Sequence, residues 1–126
     1  MKKPAKAKKA VVVVRFHPQP GHEEEFEQLY KKATREFEGL RRVRLVKAPN
    51  GGYFSIGEWD SFDDIVAARP LMAGNLNKFR HTLTELDGKQ EGVTDPISGE
   101  VIFSKRYDGK AGTERKRKDG QSDQAV

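Results

Sequence analysis

Large apolar residues are confined to one stretch of this chain, and that confinement limits what it can fold into. Of all the valine, isoleucine, leucine and phenylalanine residues, only Val126 lies outside residues 11–103. Ordering a chain costs conformational entropy that apolar burial must offset. We therefore expect one domain over residues 11–103. We expect residues 1–10 and 104–126 to be disordered tails.

The two predicted tails are also basic. They carry net charges of +5 and +3, whereas residues 11–103 carry −3. Runs such as MKKPAKAKKA and ERKRK attract nucleic acid by charge alone, so nucleic acid is a candidate partner. No aromatic residue interleaves with either run, which leaves no means of stacking on bases. Solubilising extensions are the simpler interpretation.

Several classes of protein are excluded by what the chain lacks. It has no cysteine, so it has no disulfide scaffold, thiolate metal site or cysteine nucleophile. Its apolar runs are far shorter than the roughly 20 residues that span a bilayer, and its lysine-rich start lacks the apolar core of a signal peptide. We expect a cytoplasmic protein with no membrane partner. No nucleotide-binding, phosphate-loop or metal-ligand motif occurs, so we expect neither cofactor nor metal.

The first half of the domain predicts a strand and then a helix. Val11 to about His17 is rich in β-branched residues, and its consecutive valines predict a strand covered on both faces. From about His22 to Glu38, apolar residues recur at helical spacing behind an acidic first turn. Gly39 is the predicted end of that helix.

The second half predicts a hairpin, helical segments and a last strand. Leu40–Lys47 and Tyr53–Trp59 flank a Pro-Asn-Gly-Gly turn. Ser61 is a predicted N-cap for a short helical turn ending at Ala68, and Pro70 is expected to begin a longer helix reaching Leu86. We expect a turn over 95–99 and a last strand over about 100–105.

This element order, β-α-β-β-α-β, predicts an α+β ferredoxin-like fold with an antiparallel sheet. Both helices would cover one sheet face. The first strand is apolar on both faces, so the other sheet face needs a cover as well. We expect a homodimer in which two sheets pack face to face.

Three segments resemble the antibiotic biosynthesis monooxygenase (ABM) domain family: VVVVRFHPQPGHEEEFEQLY, YFSIGEWDSFDD and GVTDPISGEVIF. The resemblance covers about residues 11–103 and implies a dimeric α+β barrel. It also implies a monooxygenase that oxidises a small aromatic or quinol substrate with molecular oxygen and without metal or flavin. Haem-degrading members of that family use an asparagine on the first strand, and a tryptophan and a histidine on the second-helix side. The first strand here has no asparagine, and the only tryptophan, Trp59, is not in the predicted second helix. We therefore do not expect haem degradation.

A non-catalytic dimer of the same fold, binding a small ligand or another protein, is the alternative to this enzymatic hypothesis. The two hypotheses differ in the polar pocket residues that catalysis requires, and such residues are sparse in the sequence. Tyr53 and Trp59 alternate onto one strand face and are candidate pocket walls, although a core role for Trp59 is the simpler interpretation. Arg80 borders the second helical stripe and is a candidate holder of a phenolate or carboxylate.

Charged residues inside the predicted strands have a structural interpretation. The first and third strands are neighbours in the ferredoxin-like order, so Arg15 and Glu58 are a candidate cross-strand ion pair.

Overall fold

The computed structural model describes residues 8–86 and 92–111. The tails predicted over 1–10 and 104–126 lie largely outside these ranges. No helix in the described part of the chain is both long and apolar enough to cross a membrane.

Four antiparallel strands form one sheet in the order β2-β3-β1-β4. The two helices cover one face of this sheet, so the predicted ferredoxin-like α+β fold is confirmed. The predicted hairpin has the expected bounds, and β1 begins one residue earlier than predicted. The strands are β1 Ala10–Phe16, β2 Leu40–Lys47, β3 Tyr53–Trp59 and β4 Thr94–Glu100.

The first helix, α1, spans Glu23–Lys32 and is shorter than predicted. Ala33 adopts an extended conformation, and the Arg35 guanidinium then donates to the carbonyl oxygens of Tyr30 and Ala33. The Tyr30 carbonyl also accepts from Ala33 N at 3.3 Å, so the guanidinium adds to the capping of the helix C-terminus. The predicted stop, Gly39, instead precedes β2 with φ +88°. A Cβ there would meet the Asp64 side chain, so glycine suits this position for two reasons.

The second helix, α2, runs unbroken over Phe62–Phe79, so the predicted break before Pro70 is wrong. Proline removes the hydrogen bond to the carbonyl four residues earlier, here that of Val66. Val66 and Pro70 are both exposed, and water can therefore satisfy that carbonyl. The predicted N-cap is confirmed, because Ser61 Oγ accepts a hydrogen bond from Asp64 N at 3.2 Å. A 3-10 turn over Arg80–Thr82 follows the helix.

The last strand, β4, occupies the stretch predicted to be a turn, and the strand predicted over about 100–105 is absent. Pro96 pairs in register with Val14 although proline and glycine usually indicate turns. Because β4 lies at the sheet edge, the N–H that Pro96 lacks is not needed for a second neighbour. After β4, Val101 N still donates to Lys9 O at 2.8 Å.

The core on the helix side contains two clusters of buried residues, which we call the aromatic cluster and the tryptophan cluster. The aromatic cluster lies around Phe26, which is fully buried. The tryptophan cluster lies around Trp59 and includes two alanines. The aromatic cluster comprises Phe16, Phe26, Tyr30, Tyr53, Phe79, Leu83 and Val93, and the tryptophan cluster comprises Ala10, Val12, Trp59, Ile65 and Ala68.

Ion pairs on the outer sheet face differ from the one predicted. Arg15 pairs with Asp95 on β4 at 2.9 Å, and Arg44 on β2 pairs with Glu58 at 3.5 Å. The register explains the difference, because Arg15 lies opposite Phe54 on β3 and opposite Asp95 on β4.

Candidate functional site

A cavity of about 410 Å³ lies between the sheet and α2. Its volume falls within the range of roughly 300–1,000 Å³ that is typical of small-molecule sites. The lining is mostly apolar and includes residues of both core clusters. Its apolar members include Val12, Val14, Phe16, Tyr30, Phe37, Leu40, Trp59, Ile65, Met72, Leu76 and Phe79.

Small residues on the sheet leave this space open. Ser55 and Gly57 lie on the helix side of β3 and both line the cavity. A Cβ added at Gly57 would lie 3.1 Å from Trp59 Nε1, which is a tight contact. The indole therefore occupies the position next to the absent Gly57 side chain. The small residues of β3 therefore have two effects: they leave the cavity open, and at Gly57 they make room for the Trp59 indole.

Trp59, the predicted aromatic wall, does line the cavity. It is only 2% exposed, and its ring stacks on Phe37 with an interplanar angle of 8° and a centroid distance of 6.0 Å. Trp59 thus belongs both to the core and to the cavity wall.

Tyr53, the second predicted wall, lies in the aromatic cluster and does not line the cavity. Both residues are on the same face of β3, but they lie at its opposite ends, with five residues between them. The Tyr53 hydroxyl donates to Glu27 Oε2 at 2.5 Å. Burial, together with this carboxylate, raises the pKa of Tyr53 to about 12. Tyr53 is therefore a neutral structural donor at ordinary pH.

Arg80, the predicted anion holder, does not line the cavity either. The α-helix ends at Phe79, and Arg80 begins the 3-10 turn with an exposed side chain. Its Nε donates to Asn77 Oδ1 at 3.4 Å. The prediction assumed a continuous α-helix through Arg80, and the change of helix type turns this residue away.

Two arginines that the sequence analysis did not select line the cavity, namely Arg35 and Arg69. Arg69 was missed because the helix was predicted to break at Pro70. In an unbroken helix, Ile65, Arg69 and Met72 share one face, so the helical spacing contained the signal. Arg35 follows the end of α1, and its position depends on an early helix end that the apolar spacing did not reveal.

Other charged groups cluster outside the cavity. Glu25 lies 3.0 Å from both His22 Nδ1 and His81 Nε2, and these hydrogen bonds lower the pKa of Glu25. Arg41, helped by Lys9, lowers the pKa of Asp60 to about 2. Over residues 8–86 and 92–111, no three His, Cys, Asp or Glu side chains are grouped to hold a metal ion.

The fold and cavity together describe a ferredoxin-like α+β domain with a largely apolar cavity between its sheet and α2. Residues 10–69 match the model of the antibiotic biosynthesis monooxygenase family. The matched segment begins with β1 and ends within α2, so it contains the hairpin and Trp59. The resemblance inferred from the sequence is thereby confirmed for residues 10–69, and the third segment that carried it, GVTDPISGEVIF, lies outside the match.

Solved structures share this fold. SnoaB from Streptomyces nogalater, a cofactor-independent oxygenase, is 18% identical, with a TM-score of 0.61 over 78% of this chain and 97% of that chain. A dimeric ferredoxin-like protein from an uncultured marine organism is 12% identical, with a TM-score of 0.62 over 79% and 93%. NE2512 from Nitrosomonas europaea, a protein of unknown function, is 15% identical, with a TM-score of 0.60 over 81% and 97%. No curated protein matches this chain.

Proposed function

We propose that this protein is a cofactor-independent monooxygenase that oxidises a small aromatic or quinol substrate with molecular oxygen. The observation that carries this proposal is the largely apolar cavity beneath α2, walled by Trp59, in a domain that matches the ABM family. The shared fold of SnoaB, a cofactor-independent oxygenase, supports the same activity.

The proposed reaction is the oxidation of a ring methylene flanked by phenols to a carbonyl. One oxygen atom of O₂ enters the product, and the other leaves as water with the two methylene hydrogens. All four electrons that reduce O₂ come from the substrate, so no external reductant is needed. Ionisation makes the substrate electron-rich, and nearby cations stabilise the resulting anion.

The protein's part in this reaction is to position the substrate and exclude water. Trp59 and Phe37 stack on each other and both line the cavity, which gives it an apolar aromatic wall against which a substrate ring can pack. No carboxylate or imidazole is among the described residues that line the cavity. The substrate's proton therefore leaves through its own phenol groups and solvent in this scheme.

The absence of such a base from the described lining favours a second candidate function. A non-catalytic dimer of the same fold would hold a small ligand in this cavity or present a surface to another protein. Oxygen consumption by metal-stripped protein distinguishes the two functions, using anthrones, quinols and catechols without added cofactor. The oxygenase predicts saturable, protein-dependent uptake and, with an anthrone, one atom of labelled oxygen in the product. Uptake no faster than autoxidation with every probe would favour the binding protein.

Matched variants locate the site in the same assay. We expect Trp59→Phe to raise KM or lower kcat, because a smaller ring leaves part of the wall unfilled. Arg80→Gln is the control, because Arg80 is exposed and outside the cavity. Equal effects of the two substitutions would contradict this placement.

We also propose that the protein is a homodimer that associates through its outer sheet face. Val13, Ile56 and Ile97 lie in one cross-strand row on that face, and Ile97 is 70% exposed. Beyond β4, Ile102 and Phe103 are also largely exposed. Neighbouring exposed apolar side chains on one face are typical of protein interfaces. The dimeric marine protein of the same fold supports this assembly.

Sedimentation velocity at micromolar concentration tests the assembly. Wild type is expected to sediment as a dimer, and Ile97→Glu as a monomer, because the substitution places a charge in the apolar row. A monomeric wild type would contradict the proposed dimer.

A further inference from the structure

The charges around the cavity are unbalanced. Its charged lining residues within the described ranges are Arg35 and Arg69, and no Asp or Glu accompanies them. Three of the four arginines in the strands differ from them, because Arg15, Arg41 and Arg44 each contact a carboxylate. The chain thus neutralises these sheet arginines and leaves two cations at an apolar cavity.

The Arg35 side chain is held in place by neutral groups and not by a carboxylate. Its Nη1 donates to Ala33 O at 2.9 Å, and its Nη2 donates to Tyr30 O at 2.8 Å. The guanidinium also lies 4.0 Å from the centroid of the Tyr30 ring. Both hydrogen-bond partners are neutral carbonyls, and a guanidinium has five N–H donors. A preorganised cation with spare donors therefore faces the cavity.

Arg69 stands where the cavity meets solvent. Its side chain is exposed, and its guanidinium carbon lies 5.8 Å from the centroid of the Phe62 ring. No ion pair holds it within the part of the chain that the structure describes. A long, unpaired side chain at the rim can move toward an incoming anion at little cost in lost contacts.

We propose that the ligand of this cavity is an aromatic carboxylate, with its ring against Trp59 and its carboxylate between Arg35 and Arg69. The proposal rests on the proposed function only in using the same cavity. The apolar wall selects a ring, and the two guanidinium groups select an acid over its neutral analogue. Arginine suits this role because its planar donor fork matches a carboxylate.

A matched pair of probes, 2-naphthoate and 2-naphthamide, tests the proposal by binding alone. The two differ in charge but hardly in shape. Trp59 is the only tryptophan, so the protein gives one indole N–H resonance, which reports occupancy of the cavity. Neither probe needs to be oxidised. A failure of the oxygenase proposal would therefore appear in oxygen uptake and leave this measurement intact.

We expect naphthoate to bind about tenfold more tightly than naphthamide, as charge-assisted hydrogen bonds imply. Arg69→Gln should reduce this preference to less than about threefold while naphthamide binding is retained. Arg35→Gln should act in the same direction, and circular dichroism checks that α1 persists. Arg80→Gln removes the same charge outside the cavity and should leave the preference unchanged.

Three results would overturn the proposal. The first is equal affinity for the two probes. The second is a preference for naphthoate that survives both Arg69→Gln and Arg35→Gln. The third is the absence of any indole shift with either probe.

Discussion

The aromatic cluster and the tryptophan cluster form two ends of the helix-side core, and they differ in the size of the side chains that fill them. In the aromatic cluster, Phe26 has four aromatic neighbours with ring centroids between 5.2 and 5.9 Å away. In the tryptophan cluster, Trp59 is accompanied by alanines, and Ser55 and Gly57 lie beside it on the sheet. Phe26 is enclosed by rings and does not line the cavity, whereas Trp59 does; the cavity opens between Trp59 and the outer members of the aromatic cluster, Phe16, Tyr30 and Phe79.

This difference shows how one short sheet carries both stability and a binding site. Large rings fill space at one end, where the buried Tyr53 hydroxyl also finds a carboxylate partner. Small side chains at the other end leave van der Waals contacts unmade, which costs stability. The filled end can offset that cost, so the fold tolerates an opening of about 410 Å³.

Truncation at the filled end should have the largest effect. Phe26→Ala removes a fully buried ring from among four others and should cost about 3–5 kcal/mol of unfolding free energy. Met72→Ala is the matched change at the cavity, where the side chain packs against the tryptophan cluster, is only half-buried and already borders space. Its cost should stay below about 2 kcal/mol. Urea unfolding measures both, and equal losses would contradict the contrast between the two ends.

The Tyr53–Glu27 hydrogen bond should have the next largest effect. Tyr53→Phe leaves the ring in place and removes the donor, so we expect a loss of about 1–3 kcal/mol. Because the folded pKa is raised from 10.0 to about 12, this stabilisation is present below pH 10 and is lost as the pH rises through about 12. Alkaline unfolding of wild type and Tyr53→Phe should converge over that range. Parallel curves would show that the hydroxyl contributes no pH-dependent stability.

Filling the cavity should hardly change stability. Ser55→Leu directs extra carbons into existing space, so we expect the unfolding free energy to change by less than about 1 kcal/mol. A binding cavity should have lining positions of this kind, where a larger side chain enters the empty space with little change in unfolding free energy. Thermal unfolding checks the expectation. A large loss of stability would mean that Ser55 is closely packed and that the space is not accessible to a side chain.

The smallest effect is expected at the surface, away from both clusters. Asp60→Asn removes the carboxylate that Arg41 and Lys9 contact. The folded pKa of Asp60 is lowered from 3.8 to about 2, so its stabilisation is present above pH 3.8 and is lost as the pH falls through about 2. We expect a small decrease of Tm at pH 7 that disappears near pH 2. A decrease of Tm that is independent of pH would point to a cause other than charge.

The first three strands and the start of the first helix could be predicted because their signals are local. The Pro-Asn-Gly-Gly turn fixed the hairpin, and Ser61 marked the start of α2. The errors arose where tertiary context overrode local propensity. Pro70 is tolerated because the carbonyl it frees is solvated, and Pro96 is tolerated because β4 is an edge strand.

The site was harder to predict than the fold. Trp59 was found because strand alternation placed it on the helix side. Tyr53 shares that face, but alternation gives no position along the sheet, and the two residues lie in different clusters. The sequence analysis selected Arg80 and missed Arg69, because a helix predicted to begin at Pro70 includes Arg80 and excludes Arg69. Arg35 depends on a helix end that only the folded chain reveals.

Oxygen uptake by Ser55→Leu tests most directly the claim that chemistry takes place in the cavity. Wild type and variant would be compared on the same anthrone, with Gly57→Ala, whose new Cβ would lie 3.1 Å from Trp59 Nε1, as a second way of crowding the site. The expected result is that both variants stay folded, that Ser55→Leu falls to the autoxidation background and that Gly57→Ala is slowed. Wild-type rates in both folded variants would contradict it, because the reaction would then not need this space.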